Sequence, residues 1–576
     1  MCKRLYLALS AALVLLFLLS ANVHAQTSPA NVLNYSRASA FEYDATSGLL
    51  MAEIVEPDNP ALCVRTEYRY DAYGNKVSTT VKNCPGASGA ALFTARTSTV
   101  SFAATTANPI AGQFPTNAKN ALGQTESRSF DPRTGQPTSL TGPNGLTTTW
   151  QYDSLGRKTL EVRADGNRTV WQYAYCGQRF GATGVFAAGQ VQCSNGTPHL
   201  AGYQLSSIQQ NSAGVSNGPM TKETYDVLGR LIRSEQTSEH YAHLQIIAER
   251  SYDRFGQLAK TTEPVFSDNT SSVRYATTRA YDAIGRLIQT QRDDKTAPGG
   301  KAISSIAYNG RTTTTTNPLG QKRIEEKDPL GRLARVTDAQ GNQLAYQYDA
   351  FDNLLKTVDA LGELLTQTDA KGQVTTNTYD VLGRLTQKTQ PTQTATWSYD
   401  KYADGTACAK GIGQLCETST DSGYKRRLMF DNLGRPTRTD TWLDRPAAYT
   451  QTVTYDANGR ISSQTWPTGV KVNHTYNSVG GLNKVSLAAS GGNTAQTLWQ
   501  FLGADPLGHV TVYQFGNGIQ TLRNYSADTG RPDIVWAGAG NSVVNHYYWY
   551  DSAGNVTARR GATTTRPSPK PFCTTT

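Results

Sequence analysis

Five aspartates in this 576-residue chain each stand four residues before an arginine, with a tyrosine ahead and a glycine between. The sets are Tyr152, Asp153, Gly156 and Arg157; Tyr225, Asp226, Gly229 and Arg230; Tyr281, Asp282, Gly285 and Arg286; Tyr379, Asp380, Gly383 and Arg384; and Tyr455, Asp456, Gly459 and Arg460. Carboxylates repeated in this way could ligate calcium or carry acid–base catalysis. A turn explains them without any ligand. Asp at the first position of a type I turn accepts hydrogen bonds from the backbone two residues on, and Gly at the fourth supplies the positive φ that returns the chain into an antiparallel partner. Each set is read as a hairpin tip, with a structural aspartate.

The other reactive side chains give equally plain readings. The arginine closing each set, with Arg332 in a further copy, could line an anionic groove, but pairing with turn carboxylates of the next repeat is the simpler role. Tyr and Trp rings stack on sugar faces and donate hydrogen bonds at their edges, so the aromatic residues could form a carbohydrate platform; the array also needs them as its core. His240 and His243 fall in Glu239-His240-Tyr241-Ala242-His243, where period two would send them to opposite sides of a strand, so a solvated loop fits better than a metal or acid–base site. Lys425-Arg426-Arg427, the one dense basic run, reads as a solvated edge that discourages strand pairing. No nucleophile elbow, Walker loop, HExxH or Rossmann glycine set occurs. The chain is therefore read as non-enzymatic, with no catalytic, cofactor-binding or metal-ligating residue and no cofactor.

The elements that carry these residues follow from the repetition. Looser copies of the phrase run from Tyr43-Asp44 to Tyr550-Asp551, so the architecture is a repeat array. Asn317 and Asn477 replace the Asp, Asp352 stands in the Gly slot after Asp349, and the copies Asp44 to Gly48 and Asp131 to Gly135 carry one extra residue. Before the turns the chain alternates with period two, placing Tyr68 with Tyr70, Trp150 with Tyr152, Tyr346 with Tyr348, Trp397 with Tyr399 and Tyr548 with Tyr550 on one face. Phrases lie on the order of 20 to 30 residues apart, room for two strands and their turns. The fold class is all-β: a repeat array of antiparallel β-hairpins.

Lys3 and Arg4, an apolar stretch from Leu5 to Leu19, and Val23-His24-Ala25 read as a secretory signal peptide over residues 1–25, with no membrane span after its removal. Export permits oxidation, and three close cysteine pairs bracket Gly-, Pro- or Asn-rich stretches: Cys63 with Cys84, Cys176 with Cys193, and Cys408 with Cys416. These are disulfide candidates; Cys573 is left over. Residues 26–560 form one repeat body, with rim insertions near 84–120 and 177–220, followed by a disordered Thr- and Pro-rich tail over 561–576. The chain is 38% hydrophobic and 17% charged, as suits a large sheet wet on one face. A net charge of +10 over this length is too dilute for a nucleic-acid footprint.

The phrase resembles the motif of the Rhs or YD-repeat proteins of bacteria, a Tyr-Asp, two variable residues and Gly-Arg-Leu. Tyr225 to Leu231, Tyr281 to Leu287 and Tyr379 to Leu385 match it closely, as does the run from Gly331 to Asn342, and the resemblance spans roughly residues 35 to 560. It implies a long sheet that spirals into a hollow shell or part of one, acting as an exported scaffold related to polymorphic-toxin shells used in intercellular competition. The partner implied is a toxin or core polypeptide absent from this chain. The alternative is a stand-alone cell-surface or wall-associated protein that binds surface glycans. The family's core segment DPxGxxDGxNLYxY is only begun, in Asp328-Pro329-Leu330-Gly331 and Asp505-Pro506-Leu507-Gly508, so no catalytic residue is carried over. The change into the tail reads as a shortened frame.

Overall fold

The computed structural model describes residues 38–561 apart from residues 62 and 272 and the segments 89–91, 177–189, 192–200, 347–356, 359–363, 369–371, 444–445 and 490–493. The expected signal peptide, the tail, Cys193, Cys573, Asp349 and Asp352 lie outside the described residues. Regular structure among the described residues is strand, save two three-residue 3-10 turns at Pro298–Gly300 and Ala539–Asn541.

The strands follow from side-chain type. Threonine and other β-branched residues favour the extended backbone and fit a pleated, half-buried surface; Thr312–Thr316 is threonine throughout. Consecutive strands pair antiparallel into a sheet of 25 strands, from Ser39–Tyr43 to Gln343–Ala345, and a second of 18, from Thr357–Val358 to Val556–Gly561. Among the described residues the one parallel pair is Arg168–Cys176 with the short Gln190–Val191.

Antiparallel succession sends alternate turns to opposite edges of each ribbon. The Tyr-Asp turns gather on one, here called the Asp edge, and the intervening turns on the other, the counter edge. Pairing slips by one residue at the aromatic before the Asp, at Tyr152, Tyr225, Tyr281, Tyr379 and Tyr455 alike. Each slip is a β-bulge completed by the left-handed glycine, which bends its strand and increases the twist. A bulge on the Asp edge of hairpin after hairpin makes the ribbon curl.

A single-layer wall has little interior. Its buried apolar residues are few and mostly small, such as Ala52, Val64, Ala276 and Cys416, while buried polar ones are more numerous, among them Thr224, Asp226, Asp294 and Asp528. Hydrogen bonding must therefore do much of what a core does elsewhere.

Two expectations change. The stretches expected as rim insertions are partly sheet: residues 84–120 contain the strands Arg96–Ser101 and Asn117–Lys119, and residues 177–220 contain Ala201–Gln210. Their weak alternation hid them. Lys425-Arg426-Arg427 is not an edge, because strand Lys425–Phe430 is paired on both sides. Lys425 lies over the ring of Trp442, and Arg427 pairs with Asp404 and Glu417, so these charges are used inside the sheet.

Candidate functional site

The Asp-edge turns share one geometry. In the second set Asp226 Oδ1 accepts the N–H of Leu228 at 2.9 Å and of Arg230 at 2.8 Å, while Oδ2 accepts Arg230 Nε at 2.7 Å. Asp153, Asp282, Asp380 and Asp456 repeat it, with Arg157, Arg286, Arg384 and Arg460 at 2.7–2.9 Å. The glycines Gly156, Gly229, Gly285, Gly383 and Gly459 all have φ between 76° and 86°. Asp431 with Arg435 makes a further copy of the same geometry. Asp505 makes another in which His509 Nδ1 takes the arginine's place.

These contacts settle the carboxylates' chemistry. The Arg157 N–H is the strongest influence on Asp153; burial opposes it, but with the Arg157 guanidinium the turn holds the carboxyl below its ordinary range. Arg286 does the same for Asp282. For Asp226 burial is the largest influence and pushes upward, yet the Arg230 N–H, its guanidinium and the Leu228 N–H outweigh it. Both oxygens of each carboxylate accept N–H donors of their own turn, which is the structural role read for them.

The arginines correct an expectation. Each pairs with the carboxylate of its own turn rather than that of the next repeat; Arg384 alone among the five sets also reaches forward, to Asp400. What they give the next repeat is a cation over a ring. Arg230 lies 4.7 Å from the Tyr252 ring centre, Arg286 4.3 Å from Tyr308, and Arg460 4.2 Å from Tyr476. The same tyrosines reach back, Tyr252 donating to Leu231 O, Tyr308 to Leu287 O and Tyr476 to Ile461 O. Asp, Arg, Tyr and carbonyl thus stitch each hairpin to its neighbour, with a cation–π term of about 0.5–2 kcal/mol per step. The rings of Tyr252, Tyr308 and Tyr476 are half-buried beneath guanidinium groups.

Between the ribbons runs a seam, where the Asp edge of the second sheet lies on the counter edge of the first. Asn144 donates to Ile412 O at 2.8 Å and accepts the Ile412 N–H at 3.1 Å. Asn217 Nδ2 donates to Asn458 Oδ1, Asn477 Nδ2 to Glu239 O, and the Ala504 N–H to Tyr241 Oη. Farther on, Asp528 accepts the Lys295 N–H at 2.8 Å while Arg531 meets Asp294 at 3.4 Å. Partners are 233 to 268 residues apart in these contacts, so one circuit of the ribbon consumes nearly half the chain.

The histidine pair divides at this seam. His243 is exposed, whereas His240 stacks on Phe501 at 4.1 Å with its Nδ1 unpartnered. Burial lowers the His240 pKa, partly offset by Glu239. They lie in a turn rather than a strand, so the argument from opposite strand faces does not apply. Beside them a polar cleft of about 380 Å³ is lined by Arg163, Asp165, Asn167, Asn217, Asn458 and Arg460. Of its charged groups, Arg460 pairs with Asp456, Arg163 with Thr169 and Asp165 with Asn167.

Cys63 is joined to Cys84 and Cys408 to Cys416, with Cα separations of 5.5 and 6.2 Å. Cys176 is disulfide-bonded, and its expected partner Cys193 lies outside the described residues. Among the described residues no three His, Cys, Asp or Glu side chains are grouped to hold a metal ion, and no helix is long and apolar enough to cross a membrane.

The family model described as RHS Repeat matches residues 130–175, 328–364 and 358–395, within the span of the motif resemblance but short of its full extent. No curated protein matches the chain. Among solved structures, the chain is similar to TcdB2-TccC3 without its hypervariable C-terminal region, at 15% identity and a TM-score of 0.66, covering 91% of this chain and 35% of that one. The TcdB2-TccC3-Cdc42 structure gives 16% identity and a TM-score of 0.64, over 91% and 33%. A Photorhabdus luminescens Tc holotoxin pore carrying the TccC3 D651A mutation gives 13% and 0.63, over 92% and 38%. The chain spans about a third of the length of these structures. At such identities the likeness is one of fold, and it covers most of both ribbons.

Proposed function

We propose that this chain, which carries three RHS Repeat matches and shares the fold of TcdB2-TccC3, is an Rhs/YD-repeat protein that serves as an exported, non-enzymatic scaffold whose curled wall encloses a polypeptide, as part of a toxin system. The observation that carries this reading is the seam: the second ribbon continues the first by laying its Asp edge on the counter edge, so the wall winds around a space. A non-enzymatic role is supported by turn carboxylates saturated with N–H donors. Export is supported by the leader-like sequence pattern over residues 1–25 and by the disulfides. The glycan alternative has less behind it, because guanidinium groups already lie over the rings of Tyr252, Tyr308 and Tyr476 in the repeat stitch.

Small-angle scattering from the purified chain tests the wall. A hollow particle is expected, with pair distances weighted toward the particle diameter; the profile of a filled globule would remove the reading. Export is checked separately by N-terminal sequencing of the secreted product, which should begin at Gln26.

A further inference from the structure

The third position of most Asp-edge turns carries an apolar residue in both ribbons, Asn458 being an exception, and its surroundings differ between them. In the second ribbon, where the counter edge of the first lies along that edge, Leu382, Leu433 and Val479 are only partly exposed and Leu507 is 37% exposed. In the first ribbon the same slot is open: Leu228 is 72% exposed, Phe255 74% and Ile284 76%, with Leu155 and Leu330 similar. The far rim of the molecule, the counter edge of the second ribbon, is open too and carries Trp466, Phe515 and Val543 at 45–58% exposure. By contrast the counter-edge tips inside the seam are mainly polar, with Asn144, Asn217 and Lys295 making its contacts.

From this we infer that the two open rims bind one another between molecules: the Asp edge of one copy's first ribbon docks on the counter edge of another copy's second ribbon. The seam supplies the template. It shows, inside one molecule, that an Asp edge is covered by a counter edge. Rows of exposed apolar side chains of this size mark interaction surfaces. The two rims are different surfaces, so the contact is head-to-tail and each added copy leaves one rim of each kind free. The inference rests on edge geometry and does not depend on what the wall encloses.

Complementation between rim variants provides the test. One variant carries Leu228→Lys and Ile284→Lys, the other Trp466→Lys and Val543→Lys; all four positions are exposed, and circular dichroism with a thermal transition confirms that each variant folds. Sedimentation of the full mature chain should show a mass that rises with concentration, and each variant alone should self-associate about tenfold or more weakly. Mixing the two should restore pairs, since each retains the rim that the other lacks, and assembly should stop at two. A wild-type chain that stays monomeric at its highest soluble concentration would overturn the inference, as would variants that assemble like wild type. Failure of the folded variants to pair when mixed would replace the head-to-tail contact with a symmetric one and overturn it as well.

Discussion

Asp226 shows how much one side chain contributes to a wall without a thick core. It is 3% exposed and accepts two backbone N–H groups and a guanidinium. Asp226→Ala should cost about 2–4 kcal/mol, since it leaves buried donors unpaired and a cation without its partner; urea denaturation measures this. The pH dependence has a definite sign. The folded carboxyl lies below its ordinary range, so the folded state binds fewer protons than the unfolded one. The stabilisation is complete above about pH 4, the unfolded value, and is lost as pH falls through the folded one. Asp226→Asn should flatten that acid slope, and an unchanged slope would exclude this residue as a source.

At the scale of the turn and its bulge, two glycines separate backbone conformation from packing. Gly229 has φ +76° with open space where a Cβ would stand, so Gly229→Ala should cost only the left-handed strain, about 1–2 kcal/mol. Gly481 is not left-handed; a Cβ there would collide with the Glu239 carbonyl oxygen across the seam. Gly481→Ala should therefore pry the ribbons apart locally, and amide exchange at residues 238–244 should rise in that variant and not in Gly229→Ala. The stitch between hairpins is open to the same approach. Tyr252→Phe removes the bond to Leu231 O and keeps the ring beneath Arg230, for a loss of about 0.5–1.5 kcal/mol in the melting or urea transition.

For the whole molecule the seam carries a different pH response. Burial lowers the His240 pKa, so the neutral ring against Phe501 stabilises the seam fully above about pH 6.5, and that contribution disappears as pH falls through the folded value. Exchange corrected for its intrinsic rate should show residues 238–244 and 501–504 loosening at pH 5.5 relative to 7.5. His240→Gln should abolish the difference, and identical protection at both pH values in the wild-type chain would refute it. The disulfides act on the unfolded chain. Breaking Cys63–Cys84, which spans 21 residues, should lower stability by about 3 kcal/mol in a reduced-versus-oxidised denaturant titration.

The sequence alone determined whatever is local. The Asp and the Gly of a turn lie within four residues and fold against one another wherever they occur, so the bond from the N–H two residues on was legible at Asp153, Asp226, Asp282, Asp380 and Asp456, whereas the pairing of each arginine with its own turn's carboxylate was not. Strand alternation and the all-β class follow from side-chain period for the same reason. Only the tertiary structure decided where each arginine's outer face rests, because that depends on the register of the neighbouring strand and puts Arg230 over Tyr252 rather than beside another carboxylate. It also decided that Lys425-Arg426-Arg427 belongs to a strand paired on both sides, and that His240 meets Phe501. The pairing of Asn477 with Glu239, 238 residues away, is set by curvature summed over many hairpins. A small bend at each bulge accumulates around the circuit, and no single repeat contains the total.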